Sequence, residues 1–318
     1  MSLKAARSFI ERNDNFLLIA HVSPDGDTLG SCLALYEALL QCKKRVQIAC
    51  EEPVPPLYSF LKYSERVVNL EGINPFDSVI CIDCADIRRT GFLQPLVEGA
   101  KHSFCIDHHE TNPHYTDEDW IMDCAATGEM IYELIKDMGV ALTESMSVAL
   151  FCALSTDTGN FAYSNTTPQT FEIAARLLEC GFDLPEVNRR LFRTVGLKKT
   201  QLIGIILTRL CLYKNDSFGI SQLHRSDLAA LNATDADCEG LIDYIRDIDT
   251  VEVACVLRES NSGLIRVSLR SKYDFDVLNV VAKFSGGGHK RAAGCTLDCS
   301  MEQAMELIKA EVLNQMGE

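Results

Sequence analysis

Apolar residues follow two rhythms along the chain. Continuous apolar runs at residues 15–22, 46–50, 78–84 and 102–109 predict buried strands, and a helical spacing over 28–42 follows the first of them. Such runs alternating with helical patterns predict a parallel α/β sheet covered on both faces. Pro53, Pro55 and Pro56 break the alternation into a turn and a short helix at most. Helical spacing then dominates at 128–138, 144–154 and 169–180, where Gly181 supplies a stop and Pro185 suits the first turn of a new helix running toward Thr194. A further helix is expected over 198–213. Beyond it the rhythm returns to strands at 217–224, 251–258 and 264–272, with an acidic helix over 235–248, a helix over the stretch V-L-N-V-V-A-K-F and an amphipathic helix over 301–316. The expected architecture is an α/β parallel-sheet N-terminal domain (1–184), a helical linker (185–213) and a smaller α+β C-terminal domain (214–318), without internal repeats.

Composition narrows the classes. A chain of 318 residues, 47% apolar, can bury a sizeable core. Its longest apolar stretches, such as 16–22 and 202–207, fall far short of the roughly 18 residues that cross a bilayer, and its first residues lack the pattern of a signal peptide, so a cytoplasmic location is expected. Fourteen cysteines, among them Cys32, Cys81, Cys105, Cys152, Cys211 and Cys255, are scattered through apolar segments and read as reduced core residues. Cys81 and Cys84 make a C-x-x-C without a second pair at zinc-finger spacing. The net charge of −15 argues against a protein that coats duplex DNA, and leaves room for a small phosphorylated substrate met by local cations.

The candidate chemistry clusters at element ends. H-V-S-P-D-G-D places His21, Asp25 and Asp27 in the loop leaving an apolar strand, where open α/β sheets bind ligands. Mixed imidazole and carboxylate donors suit manganese, iron or zinc better than a calcium cage. A cap on the following helix, for which Asp27 is the candidate, explains one acid and not three ligands. Asp83 ends V-I-C-I-D, the next strand ends F-C-I-D-H-H with Asp107, His108 and His109, and Asp157 ends an apolar helix within S-T-D-T-G. An aspartate at a helix C-terminus opposes the helix dipole by up to about 1 kcal/mol, which a cation would compensate. Four acids and two histidines suffice for two divalent ions sharing a carboxylate.

These motifs, in this order, resemble those of the DHH phosphoesterases, and G-G-G-H-K-R-A-A-G at residues 286–294 resembles the substrate-binding motif of the associated C-terminal domain. The compact size is similar to the nano-RNase group, bifunctional enzymes that hydrolyse oligoribonucleotides and dephosphorylate 3'-phosphoadenosine 5'-phosphate. The resemblance implies two divalent ions, with Mn2+ expected. His21 and Asp25 would bind one, Asp27, His108 and Asp157 the other, and Asp83 would bridge them. It further implies Asp107 behind a histidine and His109 facing the scissile phosphate. Gly286, Gly287, Gly288, His289, Lys290 and Arg291 are the expected substrate-binding residues, with Arg270 and Arg89 as further candidates. The glycine run, following a predicted helix, reads as a C-cap or as bare amides approaching a phosphate. Expected partners are short single-stranded RNA or dinucleotides, with neither membrane nor duplex DNA; a homodimer is left open. Competing readings are a cyclic or linear di-AMP phosphodiesterase, an inorganic pyrophosphatase or exopolyphosphatase, and a nucleotide-binding module without catalysis.

Overall fold

The computed structural model describes residues 2–317, which form two compact units, one ending at Thr194 and one beginning at Val195. The first unit is built on β1 (Phe16–Ala20), β2 (Val46–Ala49), β3 (Val67–Val68), β4 (Ser78–Ile82), β5 (His102–Asp107) and β6 (Glu118–Ile121). All neighbours pair in parallel, in the order β3-β2-β1-β4-β5-β6. Chain order reverses between β1 and β4, and a crevice at the carboxyl ends of strands opens at such a switch point. β1 shows why these strands carry unbroken apolar runs: Phe16, Leu18 and Ala20 enter one core while Leu17 and Ile19 enter the core on the opposite face.

The helices of this unit are α1 (Leu3–Arg12), α2 (Gly26–Gln41), α3 (Gln94–Glu98), α4 (Thr127–Asp137), α5 (Glu144–Asp157), α6 (Pro168–Leu178) and α7 (Leu184–Asn188), the last running into a π-helical turn at Arg189–Arg193. Residues from α1, α2, α4, α5 and α6 fill the larger core. α2 and α5 approach closely. A Cβ on Gly26 would lie 2.3 Å from the Thr156 hydroxyl, so the loop carrying Asp25 and Asp27 packs directly on the residue before Asp157.

The second unit contains α8 (Leu197–Thr208), β7 (Cys211–Tyr213), β8 (Phe218–Leu223), α9 (Arg225–Leu231), α10 (Asp243–Arg246), β9 (Val253–Glu259), β10 (Ile265–Ser271), α11 (Val277–Ala282), β11 (Gly287–His289), β12 (Ala292–Leu297) and α12 (Met301–Gln315). Its sheet runs β11-β12-β10-β9-β8-β7, antiparallel except for β8 beside β9. α11 and α12 cover one face through Val277, Val280, Val281, Ala304 and Ile308. α8 and α10 cover Ala254 and Val256 on the other face, leaving the β10 and β12 side more open.

Three sequence expectations change here. The helix expected over 198–213 stops at Thr208, because residues 214–216 take left-handed backbone and turn Cys211–Tyr213 back as a strand on β8. The acidic helix over 235–248 is only a 3-10 turn at Ala236–Cys238 and the short α10, divided by Gly240 at φ +69°. The glycine run caps a helix only at its first residue, where the Gly286 amide donates to the Val281 carbonyl at 2.8 Å. α11 has ended, Ser285 takes the left-handed turn at φ +56°, and Gly287–His289 form the edge strand β11. A Cβ on Gly286 would meet the Gly294 carbonyl at 2.5 Å, and one on Gly288 the Ala292 carbonyl at 2.5 Å, so hairpin packing itself demands two of the three glycines. No helix among the described residues is long and apolar enough to cross a membrane.

Candidate active site

Asp25 does two jobs. Its Oδ1 accepts from the amides of Asp27 and Thr28 at 3.1 Å each, capping α2, while its Oδ2 lies 3.5 Å from His21 Nε2. The cap is therefore Asp25, and not Asp27, the candidate that the alternative capping reading offered. Asp27 instead docks on the start of α4. Its Oδ2 accepts from the Thr127 amide at 2.7 Å, and its Oδ1 accepts from the Gly128 amide at 2.9 Å and from the Ser31 hydroxyl at 3.2 Å. A helix N-terminus favours such an anion.

Asp83, one residue beyond β4, has a left-handed backbone at φ +59°, uncommon for a residue with a side chain and costing on the order of 1 kcal/mol. Its amide donates to the Ile106 carbonyl at 2.9 Å, and its side chain is 3% exposed. The two carboxylate oxygens face different partners. Oδ2 lies 3.5 Å from His21 Nε2, and Oδ1 lies 3.5 Å from His108 Nε2 and accepts from the Thr127 hydroxyl at 3.0 Å. His108 Nε2 is also 4.0 Å from Asp27 Oδ2 and 3.7 Å from Asp157 Oδ2. Each ring is aimed by its other nitrogen: Nδ1 of His21 sits 2.8 Å from the Val22 carbonyl, and Nδ1 of His108 sits 3.1 Å from the Cys124 carbonyl.

Donor atoms from three groups lie within 4.8 Å of one another: His21, Asp25 and Asp83; Asp27, His108 and Asp157; and Asp83, His108 and His109. The electrostatics fit a cation. Burial, then the repulsion of Asp83, Asp157 and Asp25, pushes the Asp27 carboxyl well above its usual range. Burial, partly offset by His108 and reinforced by Asp83 and Asp25, raises Asp157 to about 6. Burial opposes charge on His21 as well, yet Asp25 and Asp83 outweigh it and raise the imidazole to about 9. Divalent ions would displace the protons that otherwise neutralise such crowded carboxylates.

A third histidine stands beside this cluster. His109 Nδ1 lies 2.7 Å from Asp107 Oδ1, a contact that raises the imidazole above its ordinary value despite burial. Asp107 is fully buried. Burial works against its charge, but His109 and then Asn112, whose amide donates to Oδ2 at 2.6 Å, hold its carboxyl below the usual range. Asn112 also donates to the Cys84 carbonyl at 3.1 Å and receives the His114 amide at 3.0 Å. Sequence reasoning missed Asn112, Thr127, Gly128 and Ser31. Asn112 offered a faint signal, an amide shortly after D-H-H; the others look like ordinary helix residues until their partners are known. Arg89 comes to this cluster, its Nη2 2.9 Å from His21 Nδ1 and its carbonyl accepting the Val22 amide at 2.8 Å.

The remaining candidates lie in the second unit. Gly287, Gly288, His289, Lys290 and Arg291 are exposed at the β11–β12 turn, which is tied down by the Lys290 carbonyl accepting from Val277 and the Arg291 carbonyl from Ser271. Gly286 is half-buried beside Gly294. Arg270 pairs in register with Ala292, which pairs with His289, so Arg270 and His289 share a sheet face. All fourteen cysteines are free thiols, and burial raises Cys81 and Cys84 so that neither is a ready thiolate ligand.

A parallel sheet with carboxylates and imidazoles converging at its switch point, in a chain whose second unit carries an exposed cationic hairpin, defines a metal-dependent hydrolase of phosphoesters. Residues 15–155 match the DHH family, N-terminal domain, and residues 216–318 match the DHHA1 domain. The chain belongs to the DHH family, whose phosphoesterase class the sequence motifs implied. It is 32% identical over 303 residues to the bifunctional oligoribonuclease and PAP phosphatase NrnA of Thermus thermophilus, covering 93% of this chain and 89% of the relative. It is 30% identical to the enzyme of that name from Bacillus subtilis, covering 89% and 90% respectively. The crystal structure of an exopolyphosphatase-related protein from Bacteroides fragilis superposes with a TM-score of 0.88 at 25% identity, covering 98% of this chain and 95% of that one.

Proposed function

We propose that this enzyme hydrolyses short oligoribonucleotides to mononucleotides with two Mn2+ ions, and also removes the 3'-phosphate of 3'-phosphoadenosine 5'-phosphate. The observation that carries the two-ion reading is Asp83, whose two oxygens face two different histidine and aspartate sets. His21 and Asp25 would hold one ion, Asp27, His108 and Asp157 the other, with Asp83 between them. Similarity to the two NrnA enzymes over about nine-tenths of the chain supports the substrate class.

Two divalent ions, when bound, would neutralise the phosphate anion and make water more acidic at the site. The remaining work falls to the chain. Asp107, fixed by Asn112, holds His109 by Nδ1 and keeps it protonated, which leaves its Nε2–H to donate to a phosphate oxygen as negative charge builds there. Arg89 adds a cation beside His21. His289, Lys290 and Arg291 on the β11–β12 hairpin, with Arg270 on the same sheet, are the second unit's candidates for binding a phosphate of the substrate. Water attacks phosphorus in line, the bond to the departing nucleoside oxygen breaks, and that oxygen takes up a proton, with no covalent bond to the protein.

A panel assayed with Mn2+ tests this: di- to pentanucleotides, a 24-mer, di-AMP, 3'-phosphoadenosine 5'-phosphate and pyrophosphate. The expected order places the shortest oligonucleotides first. Faster turnover of polyphosphate or pyrophosphate would replace the reading with the one suggested by the name of the Bacteroides protein. Nucleotide binding with no bound metal after growth in manganese would favour a non-catalytic module. Single turnover in 18O-labelled water should place one label in the released phosphate group, and a trapped phosphoenzyme would contradict direct attack.

A further inference from the structure

One loop of the first unit ties two parts of the metal cluster together without contributing a ligand. Asp157 is the last residue of α5, and beyond it Gly159, Asn160 and Phe161 take left-handed backbone in succession, at φ +56°, +57° and +64°. Two of these residues carry side chains that disfavour the conformation, and hydrogen bonds to Thr158 hold it. The Thr158 carbonyl accepts from the amides of Ala162 and Tyr163 at 2.9 Å each, and its hydroxyl accepts from the Phe161 amide at 3.0 Å. The chain thereby returns to the helix end. There Asn165 Nδ2 donates to the Asp157 carbonyl at 3.1 Å and to the Ala125 carbonyl at 3.0 Å. Both N–H bonds of the side chain are spent on main chain, while its Oδ1 is buried with no partner among the described residues.

We propose that Asn165 is a positioning residue for the second ion, fixing the separation between Asp157 and segment 124–128. The inference rests on the two-ion reading above. Its warrant is what that segment does. The Cys124 carbonyl aims His108, the Thr127 and Gly128 amides hold Asp27, and the Thr127 hydroxyl holds the Asp83 oxygen that faces His108. Ala125 sits between these contacts, so tying its carbonyl to that of Asp157 sets one donor of the ion against the other three. A planar amide presents two N–H bonds at a fixed angle, whereas a hydroxyl has one and a carboxylate none. A buried acceptor left without a donor costs about 1 to 3 kcal/mol, so stability alone does not favour an amide here. The first ion's own ligands have other supports: His21 leans on the Val22 carbonyl, and Asp25 on the amides of Asp27 and Thr28. The two ions should therefore feel the loss of Asn165 unequally.

The test is a calorimetric titration of Mn2+ into the metal-free full chain. Asn165→Leu, close in volume but without donors, should weaken one of the two ions about tenfold and leave the other unchanged. The background identifies which ion it is. With His21→Ala, which cripples the first set, the remaining ion should still lose about tenfold, and with Asp157→Asn the remaining ion should be indifferent to Asn165. Thr170→Val is the comparison, because it removes a second tether between the chain after α5 and the start of α4, the Thr170 hydroxyl donating to Glu129 at 2.6 Å, without touching Asp157. It should lower Tm and leave both affinities as they were. Asn165→Ala repeats the measurement if leucine prevents folding. Equal loss at both ions, no loss at either, or the same loss in Thr170→Val overturns this inference alone. A single ion in the unaltered chain overturns the two-ion reading and this one with it.

Discussion

The two units use polar residues in opposite ways. In the first, Asp27, Asp83 and Asp107 are buried almost completely, and each is held by backbone amides, a hydroxyl or a neighbouring side-chain amide before any ligand arrives. In the second, the residues expected to meet substrate lie exposed on an edge hairpin, and their order comes from backbone bonds, while their charges stay in water. Buried like charges are costly and highly sensitive to a missing partner, whereas exposed cations are worth little singly and act through encounter and capture. The reaction should therefore fail steeply when the first region is altered, and affinity should erode gradually when the second is.

The sharpest break in that contrast is Asp83→Ala, expected to cut kcat by on the order of 10³ and to lower metal stoichiometry; titration by mass spectrometry alongside turnover checks both. Normal turnover would remove Asp83 from the centre. Asn112→Leu should lower kcat about 10- to 100-fold with little change in metal content, because it unpins Asp107 and through it His109. A histidine raised from 6.5 toward 9 contributes stability that is complete below 6.5 and fades as pH climbs to 9. A carboxyl raised from 3.8 to about 6 likewise favours the folded state less as pH rises through that window. Chelated protein should therefore lose stability on the order of 2 kcal/mol between pH 5 and 9, read as a falling Tm, and Mn2+ should abolish the slope. A flat Tm profile in chelator would mean the acids are not crowded as described. The smallest effect is expected at the hairpin: Arg291→Ala should raise KM about fivefold with kcat retained, and added salt should shrink the difference.

The first unit was more legible in the sequence than the second. Its strands are buried on both faces, so the apolar runs at 15–22 and 78–84 mark their positions, and a strand-end acid stands out against them. The helix over 301–316 was equally plain, because Met301, Ala304, Ile308 and Val312 recur on one buried stripe. What stayed hidden depends on partners distant in the chain. Nothing near Thr127 announces that its amide meets Asp27 one hundred residues earlier, or that its hydroxyl meets Asp83. The extent of helix 198–213 failed for a related reason: leucines at 210 and 212 suit a helix stripe and a strand face alike, and pairing with β8 decides between them. The glycines at 286–288 pass from a helix end into an edge strand, and because both welcome residues without side chains the sequence alone does not divide the run between them.

Asp27 has a consequence for which ion the enzyme carries. Both its oxygens are pinned by amides at the start of α4, and the histidines are aimed by main-chain carbonyls, so the frame is held by the polypeptide and not by its contents. Little rearrangement then accompanies replacement of one divalent ion by another of similar size. Imidazole with carboxylate discriminates weakly among first-row metals, so cellular supply would choose the occupant. Exchange kinetics against Mn2+, Co2+ and Fe2+ should accordingly differ less than the turnover each ion supports.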